Sequence, residues 1–584
     1  MNKIINRPLT NHIALPATFH PIVKRVLAAR HINNASELDY SLKNLLSYNL
    51  LLGITDAVNL LSVALSTQAR ILIVADYDAD GATSCAVAIQ ALRQMGGQKV
   101  GFLVPNREKH GYGLTPEIVK LAQTDSFLAH TSPGATPDLL ITVDNGISSI
   151  EGVKVAKELG MRVLITDHHL PGKELPKADA IINPRQEGDN FPSKNLSGVG
   201  VIFYVMMALR AHLRDNAWFT KQNIPEPNLA LFLDLVALGT VADVVILDYN
   251  NRILIEQGLQ RIRKDLCCPG IRGLIQVSGR EQSHLVASDL GFQIGPRLNS
   301  VGRLDDMSYG IACLLSENNS DARQHVQLLQ TFNEERHLEE EKMKRDALKM
   351  LDTLGELENL PFGLCLLEET WHQGLIGLIA SRLKDRLHRP VVIFTYDKNN
   401  HIRGSGRSIR GVHLREILDT INMQHPTMII QFGGHAMAAG LTIRQTQFET
   451  FQQAFDTEVR KYLSADDLEG FILTDGTLTK DDLNLELAEE LRQLTPWGQD
   501  FPEAIFDGEF ELLSRRLLKE KHLKMQVRSL EGGQAIDAIA FNTVDTNWFA
   551  NVTRVKLAYK LDVNLFRGFK TVQLMVSFVE PVPN

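Results

Sequence analysis

Asp76, Asp78 and Asp80 stand at alternating positions directly after the apolar run 71–75, and Gly81 follows them. Along an extended chain, residues i, i+2 and i+4 share a face, so these three carboxylates are expected to converge. Three anions held that close repel one another, and each is driven to take up a proton. A multivalent cation removes the conflict. A calcium loop of the EF-hand type opens with the same pattern, but it needs a bidentate Glu at its twelfth position. Counted from Asp76 that position is Val87, and the entering segment reads as a strand, not a helix. The EF-hand is set aside.

Two more apolar runs release similar groups. Leu139-Leu-Ile-Thr-Val is followed by Asp144, and Val163-Leu-Ile-Thr by Asp167, His168 and His169. A fourth carboxylate, Asp243, closes the apolar helical run that begins at Leu235, where an ionised group is costly unless paired or metal-bound. Asp234 on the same run is open to the alternative reading of a structural cap, so Asp243 does not stand on this run alone. Carboxylates joined by imidazoles suit Mn²⁺ or Mg²⁺ better than a thiolate-seeking metal. Two such ions can hold the attacking water and the leaving oxygen of a phosphoester, with Asp144 as the natural bridge. The chemistry implied is metal-assisted hydrolysis of a phosphodiester or phosphoanhydride. No G-x-x-x-x-G-K-[ST] and no H-E-x-x-H occurs, which excludes a P-loop motor and a zincin. Gly198 and Gly200 begin a dinucleotide fingerprint that fails at Phe203.

The elements that must position these groups are strands alternating with helices from 71 to about 320. The runs 71–75, 138–143, 162–166 and 180–182 alternate with helical patterns at 82–94 and 150–159. That alternation predicts a parallel sheet covered on both faces, with ligands outside the carboxyl ends of its strands. Residues 1–70 read as a mostly helical lead-in. Residues 321–358 carry ten acids against six bases and no proline, which predicts a long, exposed, charged helix, either a connector between domains or a solvated helix of one domain. A second mixed segment covers 359–455. Within it, residues 371–415 hold nine Lys or Arg against Asp385 and Asp397, a local net of 9 − 2 = +7. Past a linker, the tail to 584 shows five short β-rich runs (509–513, 522–527, 535–541, 555–562 and 571–578) of even spacing, the pattern of a small barrel.

Composition sets the outer limits. The 584 residues are 44% hydrophobic and 22% charged, ordinary for a folded protein. The net charge of −8 excludes a uniformly basic nucleic-acid coat, so a polyanion must be met by local clusters. Five scattered cysteines with no C-x-x-C give neither a disulfide framework nor a zinc ribbon. No leader-like apolar stretch and no membrane-length run is present, so a cytoplasmic protein is expected.

In order along the chain, Asp76-Tyr-Asp-Ala-Asp-Gly, Val143-Asp-Asn-Gly, Asp167-His-His and Gly239-Thr-Val-Ala-Asp resemble the four motifs of the DHH phosphoesterase superfamily. Gly404-Ser-Gly-Arg-Ser and Gly433-Gly-His resemble its accessory DHHA1 domain. Pro105-Asn-Arg, His110-Gly-Tyr-Gly, Leu196-Ser-Gly-Val-Gly, Gly295-Pro-Arg-Leu-Asn, Gly302-Arg-Leu-Asp-Asp and Trp371-His-Gln-Gly resemble the RecJ exonucleases within it. The resemblance implies a DHH domain, a connector helix, a DHHA1 domain and an OB-fold. It implies a 5′→3′ exonuclease on single-stranded DNA that uses two Mn²⁺ or Mg²⁺ ions. Metal ligands carry over to Asp78, Asp80, Asp144, His168 and Asp243, with Asp76 and His169 at further motif positions. DNA or phosphate contacts carry over to Arg107, Tyr112, Arg297, Arg303, Ser405, Arg407 and His435. The resemblance also implies work beside single-strand-binding protein and a repair helicase; a monomer is expected. Two alternatives keep or drop the chemistry: a phosphodiesterase of short oligonucleotides, cyclic dinucleotides or polyphosphate, and a metal-free DNA-binding scaffold. Relatives of the first kind lack the barrel, and the second predicts broken motifs. Among tail aromatics, Phe541, Trp548, Tyr559 and Phe566 are each expected to fill the barrel core more readily than to stack on bases.

Overall fold

The computed structural model describes residues 3–8, 15–106, 113–124, 136–354, 360–397, 400–519, 522–541, 552–566 and 568–582. Arg107, Tyr112 and Trp548, and the side chain of Phe566, lie outside the described residues. The chain forms two compact units: Met1–Ile5 with Asn333–Leu473, and Asn6–Phe332 with Thr474–Asn584.

In the larger unit, five strands lie parallel in the order Val100–Leu103, Ile71–Ala75, Leu139–Val143, Arg162–Thr166, Ala180–Ile182. These runs are apolar without alternation because both faces are covered. Ile71, Ile73 and Ala75 enter one core, while Leu72 and Val74 enter the other. After Ile71–Ala75 the chain adds its next strand on one side and the following one on the other. The carboxyl ends of Ile71–Ala75 and Leu139–Val143 therefore flank the topological switch point, where open α/β sheets bind ligands.

The tail closes into a barrel. Phe506–Leu518, His522–Ser529, Ile536–Ala540, Phe569–Pro581 and Arg554–Phe566 follow one another, and the last pairs back onto the first. One pairing, Ile536–Ala540 with Phe569–Pro581, is parallel. Tyr559 is fully buried and meets Phe510 edge-on with ring centroids 5.4 Å apart, so it is barrel core as expected. Phe541 instead stays 51% exposed, against His522.

The lead-in holds helices Pro21–Ala28 and Ile54–Ser66 with short 3₁₀ turns between them. It is tied to the segment before the barrel by Arg30. Its guanidinium donates to both Asp475 carboxylate oxygens (2.8 and 3.0 Å) and to the carbonyls of Pro502, Val26 and Glu503. Both side chains are almost fully buried. Breaking such a pair strands a desolvated charge. Arg30→Met is expected to cost about 3 kcal/mol, read as a lower urea midpoint; a loss below about 1 kcal/mol would count against this tie.

The smaller unit carries a mixed sheet in the order Ile429–Gly434, Ala438–Arg444, His401–Arg407, Val391–Tyr396, Leu364–Leu367, parallel only in its last pair. The predicted connector helix spans Asn319–Leu354. It is not solvated all round. Arg336 and Glu340 are buried and paired at 2.8 Å, and Glu340 also accepts from Arg382 at 3.0 Å.

Candidate metal centre and active site

The first acidic motif converges by a route other than the extended chain expected from sequence. The strand ends at Ala75, and the helix starts at Ala79 rather than at 82. Asp78 is the N-cap: its Oδ1 accepts from the amides of Asp80 (2.9 Å) and Gly81 (3.0 Å). Asp80 then lies in the first helical turn. A turn, not strand alternation, brings the carboxylates together.

Asp80 is held from outside its own segment. Its two oxygens accept from the amides of Gly198 (2.6 Å) and Val199 (2.9 Å), at the start of helix Gly198–Asp215. A helix N-terminus is a natural seat for a carboxylate. Asp144 leaves the next strand in the left-handed region, φ 61°, with its amide on the Thr166 carbonyl at 3.1 Å. Asp167 turns inward. Its oxygens accept from the amides of Ile147, His168 and His169, and it holds His169 Nδ1 at 2.7 Å. Asp243 ends helix Leu233–Ala242.

These groups meet on the carboxyl rim of the sheet. Candidate ligand atoms lie within 4.8 Å of one another in three overlapping sets: Asp76, Asp78 and Asp144; Asp80, His168 and Asp243; Asp144, His168 and His169. His168 Nε2 stands 3.0 Å from Asp144 Oδ1, 3.5 Å from Asp243 Oδ2 and 4.0 Å from Asp80 Oδ2. Burial, followed by the neighbouring carboxylates, raises Asp80, Asp144 and Asp243 above the ordinary carboxylate range. Burial, followed by the adjacent His169, lowers His168 to about 3, so its imidazole is neutral. Burial alone would lower His169, but Asp167 lifts it above its usual value.

This donor set fits a hard divalent cation. It contains oxygens and imidazole nitrogens and no thiolate. His168 Nε2 is buried and makes no hydrogen bond, which leaves its lone pair for a ligand. The Asp167–His169 pair has the carboxylate–imidazole form that orients metal-bound histidines.

Asp234 does not join the cluster. It is buried and accepts from the amides of Leu235 and Cys268, tying two helices as a cap. Burial pushes its carboxyl up to about 6. A folded-state value above the unfolded one means stability that is present below about pH 4 and lost as pH rises through about 6. Asp234→Asn is expected to flatten that fall, measured as urea midpoints from pH 4 to 7; an unchanged slope would remove Asp234 as its source.

The other predicted contacts are placed as follows. Arg297 is buried, donating to Gln330 at 2.8 Å and to the Gln293 carbonyl. Arg303 lies half-buried on the same helix, Gly295–Leu304. In the smaller unit, Arg407 donates to Ser405 Oγ (3.3 Å) and to the Gly406 carbonyl (2.8 Å). Arg407 pairs with Ala438, and His435 opens the turn just before it, so both sit at one end of that sheet.

Family models match the chain in three places: the DHH family, N-terminal domain, at residues 70–240; the DHHA1 domain at 360–461; and the RecJ OB domain at 474–577. The single-stranded-DNA-specific exonuclease RecJ of Dickeya dadantii is 50% identical over 584 residues, covering 100% of both chains. The chain belongs to the RecJ family. RecJ of Escherichia coli K12 is 48% identical over 570 residues, 97% of both chains. Among solved structures, RecJ from Thermus thermophilus in complex with Mn²⁺ superposes with a TM-score of 0.79 at 26% identity, over 100% of this chain and 80% of that one.

Four positioning residues of this RecJ chain carry no chemistry of their own, and the sequence shows them only as motif members, without their roles. Asn299 Oδ1 accepts the Ala79 amide at 2.7 Å, holding the start of the acidic helix. A Cβ on Gly302 would lie 1.7 Å from the Tyr77 carbonyl oxygen. One on Gly198 would lie 2.5 Å from Asp144 Cβ, and one on Gly239 would lie 2.9 Å from Asp80 Oδ1. These glycines let three helices approach the carboxylates to backbone distance. The ordered Gly-Pro-Arg-Leu-Asn and Gly-Arg-Leu-Asp motifs were the available signal.

Proposed function

We propose that the chain is a metal-dependent, single-stranded-DNA-specific exonuclease, working 5′→3′ by phosphodiester hydrolysis in DNA repair and recombination. The observation that carries this reading is the set of carboxylates and imidazoles gathered at the sheet's switch point, in a chain whose relatives are named for that activity. Bound at this rim, a pair of Mn²⁺ or Mg²⁺ ions would offset the carboxylate charge and polarise water and phosphate as Lewis acids.

The chain's own residues do the rest. Asp76, Asp78, Asp80, Asp144, His168 and Asp243 would hold the ions, with Asp144 common to two of the three candidate sets. The two amides on Asp80 keep its carboxylate from rotating. Asp167 fixes the His169 ring, so that His169 can hold a proton beside the reacting phosphate. Ser405, Arg407 and His435 grip backbone phosphate by charge-assisted hydrogen bonds. Arg107, Tyr112 and Arg303 are assigned to the DNA end by family resemblance, and Arg297 supports the helix that bears Arg303. Work beside single-strand-binding protein and a repair helicase belongs to the same reading and rests on resemblance; action in the cytoplasm as a monomer belongs to it as an expectation from the sequence. Among the described residues, no single helix is long and apolar enough to cross a membrane.

The test is a single strand labelled at one end or the other and digested with Mn²⁺. A 5′ label is expected to appear at once as mononucleotide, while a 3′ label gives a descending ladder and chelator stops both. A full rate in excess chelator would overturn the metal reading, and release first from the 3′ label would reverse the polarity. Equal turnover of a dinucleotide and a long strand would move the assignment to short-oligonucleotide phosphodiesterases.

A further inference from the structure

A cavity of ≈ 340 Å³ opens in the larger unit between the segment around Phe292 and the barrel. That is within the range of small-ligand sites, which run from about 300 to 1,000 Å³. Its lining includes the apolar side chains of Trp497, Leu561, Met575 and Val576, and Phe292 stands at it 79% exposed. The charged groups around it are matched. Arg280 pairs with Asp289 at 3.2 Å, Arg492 with Asp562 at 2.9 Å, and Lys560 with Glu503. Each of these cations already faces a carboxylate, so the cavity suits a flat, uncharged, aromatic group better than a phosphate.

Its place in the fold points the same way. Phe292 belongs to the π-helical turn Leu290–Ile294, a rare geometry frequently found at functional sites. Gly291 and Gly295 let this segment lie on the end of helix Leu233–Ala242: a Cβ on either would come 3.2 Å from Val241 and 3.0 Å from Ala242. That helix end carries the ligand Asp243. Val244, the next residue, is a β-branched side chain at φ 61° and 63% exposed. Such strain persists where the surroundings enforce it, often at functional sites. The segment that lines the cavity on one side thus packs against the helix end that bears Asp243, and the barrel lines the other, all within one unit.

The geometry points to a nucleobase site: the cavity receives one base of a single strand, with Phe292 as its stacking face. This rests on the exonuclease reading and adds where a base is held. Aromatic stacking tolerates any base, as a nuclease without sequence preference requires.

The test measures binding of single-stranded oligonucleotides to the full chain in chelator, by fluorescence anisotropy. One abasic site is walked along the strand. For the unsubstituted chain, an abasic site at one position is expected to weaken binding about tenfold. Phe292→Ala should weaken the intact strand by a similar factor and erase that positional penalty, and Phe292→Trp should restore both. Phe292 is exposed, so neither substitution disturbs the core. A flat abasic profile for the unsubstituted chain, or a penalty that survives in Phe292→Ala, overturns the proposal. So does a change confined to sedimentation, which would make the ring a contact with a second copy. If the chain binds no single strand at all, the exonuclease reading falls as well, which separates the two failures.

Discussion

Asp144→Asn is expected to lower nucleotide release from a single strand by about three orders of magnitude with Mn²⁺, while the metal-free protein becomes no less stable. The activity loss follows from position. Asp144 is shared by two of the three candidate ligand sets, and His168 Nε2 approaches it at 3.0 Å. A ligand worth several kcal/mol of transition-state charge stabilisation corresponds to about a thousandfold in rate. The stability expectation has the opposite sign for a physical reason. The carboxylate is desolvated and crowded by Asp80, Asp78 and Asp243, which raises it well above its ordinary range without a cation. Asn removes that charge, keeps the shape, and tolerates the left-handed backbone at φ 61°. Thermal unfolding with and without Mn²⁺ separates the effects. Unsubstituted protein should gain stability with the ion by mass action, and Asp144→Asn should gain less. A variant that kept a tenth of the activity would remove Asp144 from the centre.

The acidic site was legible because its residue types are expensive anywhere else. Carboxylates just past buried strands demand a partner, and strands that alternate with helices place those strand ends on one rim. What the spacing does not convey is local. Alternation alone reads the aspartates as an extended stretch, yet Asp78 with Asp80 and Gly81 makes an N-cap, and Asp is a strong cap residue. Asp234 and Asp243 flank one apolar helix, and only tertiary contacts separate them: Cys268 donates to the first, and His168 approaches the second at 3.5 Å.

The barrel shows the same division. Five evenly spaced β-rich runs sufficed to expect it, and each run falls on a strand. Closure was not readable, because it depends on the pairing of Phe506–Leu518 with Arg554–Phe566, which sets Phe506 directly opposite Tyr559 with ring centroids 6.3 Å apart. The connector helix was read from its charge, but a charge count does not reveal that Arg336 and Glu340 satisfy each other and become buried. Long-range complementarity leaves no local pattern, which is also why the sequence marks Asn299 and Gly302 only as motif residues.

Gly302→Ala should then be among the most damaging single-methyl additions in the molecule. The added Cβ would lie 1.7 Å from the Tyr77 carbonyl oxygen, a distance no real contact reaches, and the obstacle is backbone rather than a rotatable side chain. Tyr77 sits between Asp76 and Asp78. Relief requires helix Gly295–Leu304 to move off the acidic turn, which breaks the bond from the Ala79 amide to Asn299. Overpacking of a rigid core typically costs about 1–3 kcal/mol, and loss of the Asn299 bond adds about 1 kcal/mol. The carboxylates of Asp76, Asp78 and Asp80 would shift with the turn, and a misplacement of about 1 Å can cost on the order of a hundredfold in rate. The expected result is a fall of about 3 kcal/mol in stability, a hundredfold loss of nuclease activity, and weaker stabilisation by Mn²⁺. Gly172→Ala is the control, since its nearest neighbour would be 3.7 Å from the new Cβ; it should match the unsubstituted protein. If Gly302→Ala retained full activity and Mn²⁺ response, the helix would not be what holds the acidic turn in register with Asp144 and His168.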